Sequence, residues 1–278
     1  MNEPKPDLQT ILDSPSYELA ERDIELLARR ELRPVRVQLE LLKPELAFQE
    51  HNIDSTIVVF GSTQIAERGA LEERLAAAEA ALASEPGNVR AARELSRCER
   101  LLAKAPYYDA ARRFAGLVST RSQQNGGRYV VVTGGGPGIM EAANRGAYEA
   151  GAKSVGLNIA LGAEQVPNAY ITPELCFRFH YFALRKLHFL LRAAALVVFP
   201  GGFGTIDELS DTLTLRQTRR MQEIPIIMFG RAYWERVLDF QFLADEGMID
   251  DVHLDLIKYV KTPEEAWNAI AAFHRHEP

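Results

Sequence analysis

Ala195-Leu-Val-Val-Phe-Pro-Gly-Gly-Phe-Gly-Thr-Ile-Asp-Glu-Leu209 is the stretch on which the reading of this chain turns. Four apolar residues, Leu196 to Phe199, read as a buried strand and Pro200 to Gly204 as a tight turn. Thr205 onward reads as a helix with Ile206, Leu209 and Leu213 on one face. Where a strand passes through glycines into a helix, the unpaired amides of the first turn and the positive end of the dipole converge. Glycines let an anion approach that backbone closely, so a phosphate suits the place. The same letters admit a plainer reading. Thr205 and Glu208, three residues apart, also spell a capping box, which satisfies helix amides and does nothing else.

A second junction of the same kind lies upstream. Tyr129-Val-Val-Val-Thr-Gly-Gly-Gly-Pro-Gly-Ile-Met-Glu141 again runs strand, glycine turn, helix, and Ser55-Thr-Ile-Val-Val-Phe60 ends in Gly61-Ser-Thr63, a third small-residue turn. From residue 128 the alternation is regular. Strands are expected at 128–133, 154–159, 195–199, 224–229 and 256–260, with helices at 138–150, 178–193, 205–220, 233–246 and 263–275. Strands alternating with helices imply a Rossmann-like α/β fold, a parallel sheet with helices on both faces. Such sheets bind ligands beyond their strand C-termini, where all three glycine turns fall.

Outward from this core, residues 1–50 read as a helical N-terminal extension, with an apolar stripe interrupted by Pro34 and Pro44. The main nucleotide-binding domain is expected over residues 51–278. Within it, residues 67–104 read as an inserted helical hairpin, two helices joined at Pro86-Gly87-Asn88, with Arg and Glu on solvated faces. A third helix, about 107–124, leads into the second strand.

Composition narrows the function classes. At 278 residues the chain can bury a sizeable core, and a formal charge of −6 argues against a protein that coats nucleic acid. No membrane-spanning run and no leader-like N-terminus is evident, so a cytoplasmic location is expected. Cys98 and Cys176 lie far apart and read as reduced structural thiols. Gly134-Gly-Gly-Pro-Gly138 lacks the spacing of a dinucleotide fingerprint, and the strand ending Leu157-Asn-Ile159 offers no acid for a ribose diol. A Walker loop, a serine nucleophile elbow and a zinc-binding histidine pair are all missing from the sequence. His180 and His188, eight apart on the expected helix, read as packing or surface residues. Arg216, Arg219 and Arg220 read as partners of a helix C-terminus, and Glu141 is divided between helix support and a role in the cleft.

Taken together, Phe179-His-Tyr-Phe-Ala-Leu-Arg185-Lys186, Pro200-Gly-Gly-Phe-Gly-Thr-Ile-Asp-Glu208 and Gly134-Gly-Gly-Pro-Gly-Ile-Met140 resemble the Lonely Guy (LOG) family. Its members are often labelled lysine decarboxylase-like but are nucleoside 5′-monophosphate phosphoribohydrolases. The resemblance covers about residues 55–250. It departs from the shorter members at Phe182-Ala183, where they carry Met-His, and in the 67–104 hairpin and N-terminal extension; these departures are similar to the longer bacterial branch.

The resemblance implies a role for each matching position. Glu208 and Arg185 match the catalytic residues. Gly201, Gly202, Gly204 and Thr205 match the loop that holds the 5′-phosphate, with Phe203, Ile206 and Asp207 in the same segment. Lys186, Glu164 and Thr214 match substrate contacts, and Gly134, Gly135, Gly136 and Gly138 line the pocket. The implied reaction is hydrolysis of the base–ribose bond of an AMP-like or cytokinin riboside monophosphate, with no metal or organic cofactor. The partner is a small nucleotide, not nucleic acid or membrane, and a homodimer or larger homo-oligomer is implied. A Schiff-base role for Lys186 has no other support in the chain. A non-catalytic nucleotide-binding or carrier protein is the alternative, since the same loops can hold a ligand without cleaving it.

Overall fold

The computed structural model describes residues 7–124, 126–160 and 166–275. Three helices come first: α1 (Leu8–Leu12), α2 (Ile24–Ala28) and α3 (Arg33–Glu50). Pro34 opens α3, but Pro44 lies inside it and is buried, so the helix continues where an interruption was expected. Strand β1 (Thr56–Phe60) is followed by α4 (Arg68–Ser84), α5 (Val89–Leu102) and α6 (Ala105–Gln124). Asn88 starts α5 by accepting the amides of Arg90 and Ala91.

The regular part then runs β2 (Val130–Thr133), α7 (Ile139–Glu149), β3 (Ser154–Ile159), β4 (Cys176–Phe179), α8 (Phe182–Leu191) and β5 (Ala193–Val198). It closes with α9 (Phe203–Gln217), β6 (Ile226–Phe229), α10 (Arg231–Val237), α11 (Phe240–Asp245), β7 (Ile257–Val260) and α12 (Pro263–Arg275).

All strand pairings described are parallel, in the order β4-β3-β2-β1-β5-β6-β7. The chain builds outward from β1 through β4 on one side, then crosses to β5 and builds outward on the other. The direction of winding therefore reverses between β1 and β5, which opens a crevice at their C-terminal ends. Alternation along the strands feeds two cores. Ile57, Val59, Val131, Ala195 and Val197 face α6, α7 and α12. Val58, Phe60, Val132, Leu196 and Val198 face the layer holding Phe48 of α3, Phe189 of α8 and Leu209 of α9. The period slips once, between Thr56 and Ile57, where Ala194 bulges out of β5.

Two further expectations fail for local reasons. The helix expected over 178–193 begins as strand β4, because Phe177 and Phe179 are buried on either side of exposed Arg178 and pair with Leu157 and Ile159. His180 and His188 consequently do not share a helix. The helix expected over 233–246 is cut in two at Leu238-Asp239, where the Asp239 carboxylate accepts the Phe242 amide and starts α11. Among the described residues no helix is long and apolar enough to cross a membrane.

Candidate functional site

Three turns meet at the reversal. Ser62 donates its amide to the Pro200 carbonyl at 3.0 Å, and Ile139 donates to the Ser62 carbonyl at 3.1 Å, so the turn after β1 is tied to both glycine loops. Above it lies a cleft of about 430 Å³ lined by Gly61, Ser62, Thr63, Gln64, Gly134, Met140, Ile159 and Phe182. Phe60, Arg185, Phe189, Gly202, Phe203, Gly204, Thr205 and Glu208 complete it.

Helix α9 starts two residues earlier than expected. Gly202 is its N-cap and Phe203 its first residue, which puts Thr205 at the third helical position, where it cannot act as a cap. No side chain caps this helix. The capping-box reading of Thr205 and Glu208 is therefore set aside. The amides of Thr205 and Ile206 both return to the Gly202 carbonyl at 3.0 Å. Those of Phe203 and Gly204 open the helix and have no acceptor within it. Gly201 is buried, and a Cβ there would lie 2.1 Å from Thr205 Oγ1. Its carbonyl accepts the Tyr233 hydroxyl at 2.7 Å, which fixes the loop from below. Phe203 leaves 91 % of its surface exposed at the lip.

Glu208 lies on the first turns of α9 and is 5 % exposed. Arg185, one turn into α8, places Nη2 at 3.3 Å from Glu208 Oε1. Its guanidinium carbon lies 4.9 Å from the centre of the Phe182 ring and 5.7 Å from that of Phe189. Burial pushes the Glu208 carboxyl up to about 7, although Arg185 and then Lys186 pull it down. Burial also lowers the Arg185 guanidinium, against the upward pull of Glu208. Desolvation thus outweighs the attraction between the two, and the pair holds a carboxyl poised to gain or lose a proton near neutrality beside a fixed cation.

The remaining expected residues fall elsewhere. Gly135, Gly136 and Gly138 are buried beneath the cleft. Lys186 turns away and places Nζ 2.7 Å from both Asp207 and Asp211 on α9. These hydrogen bonds raise its pKa against the opposing effect of burial, so Lys186 is held as an ammonium ion, the wrong state for an imine-forming amine. Ile206 packs into the core beside α8, and Thr214 is exposed further along α9. Glu164 lies outside the described residues. Glu141 accepts the Tyr108 hydroxyl at 2.9 Å, and Arg216 pairs with Glu223 at 3.5 Å.

The reading of the sequence missed Phe60, Gln64, Met140, Ile159, Phe182 and Phe189 as lining residues. Met140 and Phe182 stood inside recognised motifs, yet nothing in their spacing marks them as facing a cleft. The Cys98 and Cys176 thiols are both free, and no group of three or more metal-ligating side chains occurs among the described residues.

Residues 140–270 match the family model described as "Possible lysine decarboxylase". No curated protein matches the chain. Similar solved structures include that of TM1055, at 20 % identity and a TM-score of 0.49, covering 78 % of this chain and 99 % of that one. A molybdenum cofactor binding protein from the phototrophic bacterium Rippkaea orientalis is 15 % identical with a TM-score of 0.47, over 79 % of this chain and 97 % of that one. The Moco carrier protein from Chlamydomonas reinhardtii is 14 % identical with a TM-score of 0.47, over 81 % and 99 % of the two chains. Over residues 140–270 the chain is thus similar to the family described as possible lysine decarboxylase, in keeping with the resemblance of its motifs to the Lonely Guy family.

Proposed function

We propose that the cleft hydrolyses the N-glycosidic bond of a nucleoside 5′-monophosphate, an AMP-like or cytokinin riboside monophosphate, to free base and ribose 5-phosphate. The observation that carries this reading is the buried Arg185–Glu208 pair, 3.3 Å apart beside the uncapped tip of α9. A protein that merely holds a nucleotide needs the glycine loop and has no use for a carboxyl raised to about 7 at such a desolvation cost.

In this reading the phosphate sits on the amides of Phe203 and Gly204, with the Thr205 hydroxyl alongside. Anchoring that remote end holds the ribose against Glu208. As the C1′–N bond breaks, positive charge grows on the anomeric carbon and ring oxygen, and the Glu208 carboxylate stabilises it. Water adds its hydroxyl to C1′, one proton passes to Glu208, and the departing base nitrogen gains a proton in turn. Because its pKa is near 7, Glu208 can both take and return that proton. Arg185 keeps its charge throughout and serves as a phosphate or leaving-group partner. The homo-oligomeric state and cytoplasmic location implied by the resemblance belong to this same reading.

The test is to incubate the purified protein with AMP, GMP, CMP, UMP and N6-isopentenyl AMP and follow free base by chromatography. Release from at least one is expected, with kcat at least about a hundredfold lower in Glu208→Gln. A non-catalytic carrier would bind one of these and return it intact. Wild-type turnover in the variant would remove Glu208 from the chemistry.

A further inference from the structure

Helix α8 and its C-cap Arg192 carry four basic side chains, and three of them face partners outside the cleft. Lys186 is held by the two α9 aspartates. Arg192, the residue that ends α8, grips both carboxylate oxygens of Glu45 on α3, Nη2 lying 2.7 Å from Oε2. His188, fully buried, places Nδ1 at 3.4 Å from the same carboxylate. Arg185 is the one that turns to the cleft.

The other end of α8 is held by the same partner. Glu40 of α3 accepts the backbone N–H groups of His180 at 2.7 Å and Tyr181 at 3.1 Å, the two residues before the helix begins. A carboxylate thus meets the positive end of the α8 dipole, and a second carboxylate meets the basic residue at the opposite end. The two lie five residues apart on α3, which packs along α8. Fixed at both ends, α8 can neither slide nor turn about its axis without breaking charge-assisted bonds. Arg185 inherits that fixity. The α3 helix lies wholly outside the residues 140–270 that match the family.

We propose that Glu40 and Glu45 are positioning residues, through which α3 braces α8 and sets Arg185 against Glu208. The proposal rests on the reading that this pair performs the hydrolysis. A slack α8 would leave the substrate able to bind on the α9 tip while the reacting groups lose their alignment, and small misplacements of that kind cost rate steeply.

Glu40→Ala and Glu45→Ala are compared with the wild type in two ways, by steady-state kinetics on the most readily cleaved nucleotide and by hydrogen exchange over 180–192. A kcat lower by about tenfold or more, a KM within about twofold and faster exchange at 180–192 are expected. Combining either change with Arg185→Ala should lower kcat no further, because the brace acts through that residue. Wild-type kcat despite faster exchange overturns the proposal, as does a loss that multiplies fully with that of Arg185→Ala. Should Glu45→Ala not fold, Glu40→Ala decides in the same terms, and Glu40→Gln, which keeps an acceptor oxygen, should recover part of the lost kcat. If the wild type releases no base from any of the five nucleotides, the hydrolase reading falls instead; unchanged exchange at 180–192 would then overturn the brace by itself.

Discussion

Two glycine loops of nearly the same composition, 134–138 and 200–204, follow the two strands that flank β1 and spend their glycines differently. In the first, glycine answers to crowding and to backbone shape. Gly135 and Gly138 have φ of +71° and +73°, and a Cβ on them would lie 2.2 Å from Asn158 Oδ1 and 2.4 Å from the Ser62 carbonyl. The amide of Asn168 binds the Gly135 carbonyl and its side chain binds the Gly136 carbonyl, while the amide of Ile139, at the start of α7, is taken by Ser62. That loop is closed on itself. In the second, Gly202 and Gly204 have negative φ, or none that a side chain would resist, and nothing within 4 Å of where a Cβ would stand. Their missing side chains leave open space over a helix tip that no side chain caps. Glycine beside protein is a packing device, whereas glycine beside open space makes room for a visitor.

The sharpest way to break this contrast is Gly138→Ala. A left-handed backbone and a clash with a main-chain oxygen should together cost at least about 3 kcal/mol, read as a lower midpoint in urea unfolding. A loss under about 1 kcal/mol would show that the first loop is as free as the second.

Next in size is a dependence on pH that belongs to the helix leaving the second loop. The folded-state pKa of Glu208, about 7, lies above its ordinary value of 4.5. Between the two, the folded protein binds more protons than the unfolded chain, so this group's contribution to stability falls as pH rises through that window. Unfolding of the wild type and of Glu208→Gln compared from pH 4 to 8 should show the wild type losing up to about 3 kcal/mol relative to the variant. A constant difference across that range would mean that Glu208 is not desolvated.

The smallest effect on stability is expected for Gly204→Ala, which should gain up to about 1 kcal/mol from helix propensity. Its cost should appear in function instead, as a KM for nucleotide raised about tenfold, because a methyl group would stand where the proposed function puts the phosphate. Opposite signs in stability and affinity at this one position would set the second loop apart from the first most cleanly.

How much of this was legible in the sequence follows the same division. Runs such as Leu196–Phe199 declare a buried parallel strand, and a glycine turn leading into an amphipathic helix declares the junction, so the sheet and both loops could be read. Strand β4 could not, because Cys-Phe-Arg-Phe is too short to show its period and runs straight into a helical pattern. The start of α9 was misjudged by two residues because Phe-Gly is a poor helix opening by propensity, and tertiary fixing by Tyr233 and Ser62 overrides it. Arg185 and Glu208 were readable as a pair through their motifs. The orientation of Lys186 was not, since adjacent residues on a helix point about 100° apart and sequence does not say which one faces the cleft. The partnership of Glu40 with residues 180 and 181 spans 140 positions, and no local pattern carries such information.

Phe203 adds one consequence of its own. Its ring stands almost wholly in water at the rim, on the first residue of the helix, and water must order itself around that ring for as long as nothing lies against it. A flat aromatic guest sliding across it would free those molecules and return about 1 kcal/mol before forming a single polar contact. The wetted ring would therefore favour such a guest in a way that salt does not screen, unlike the proposed hold of the helix tip on a phosphate.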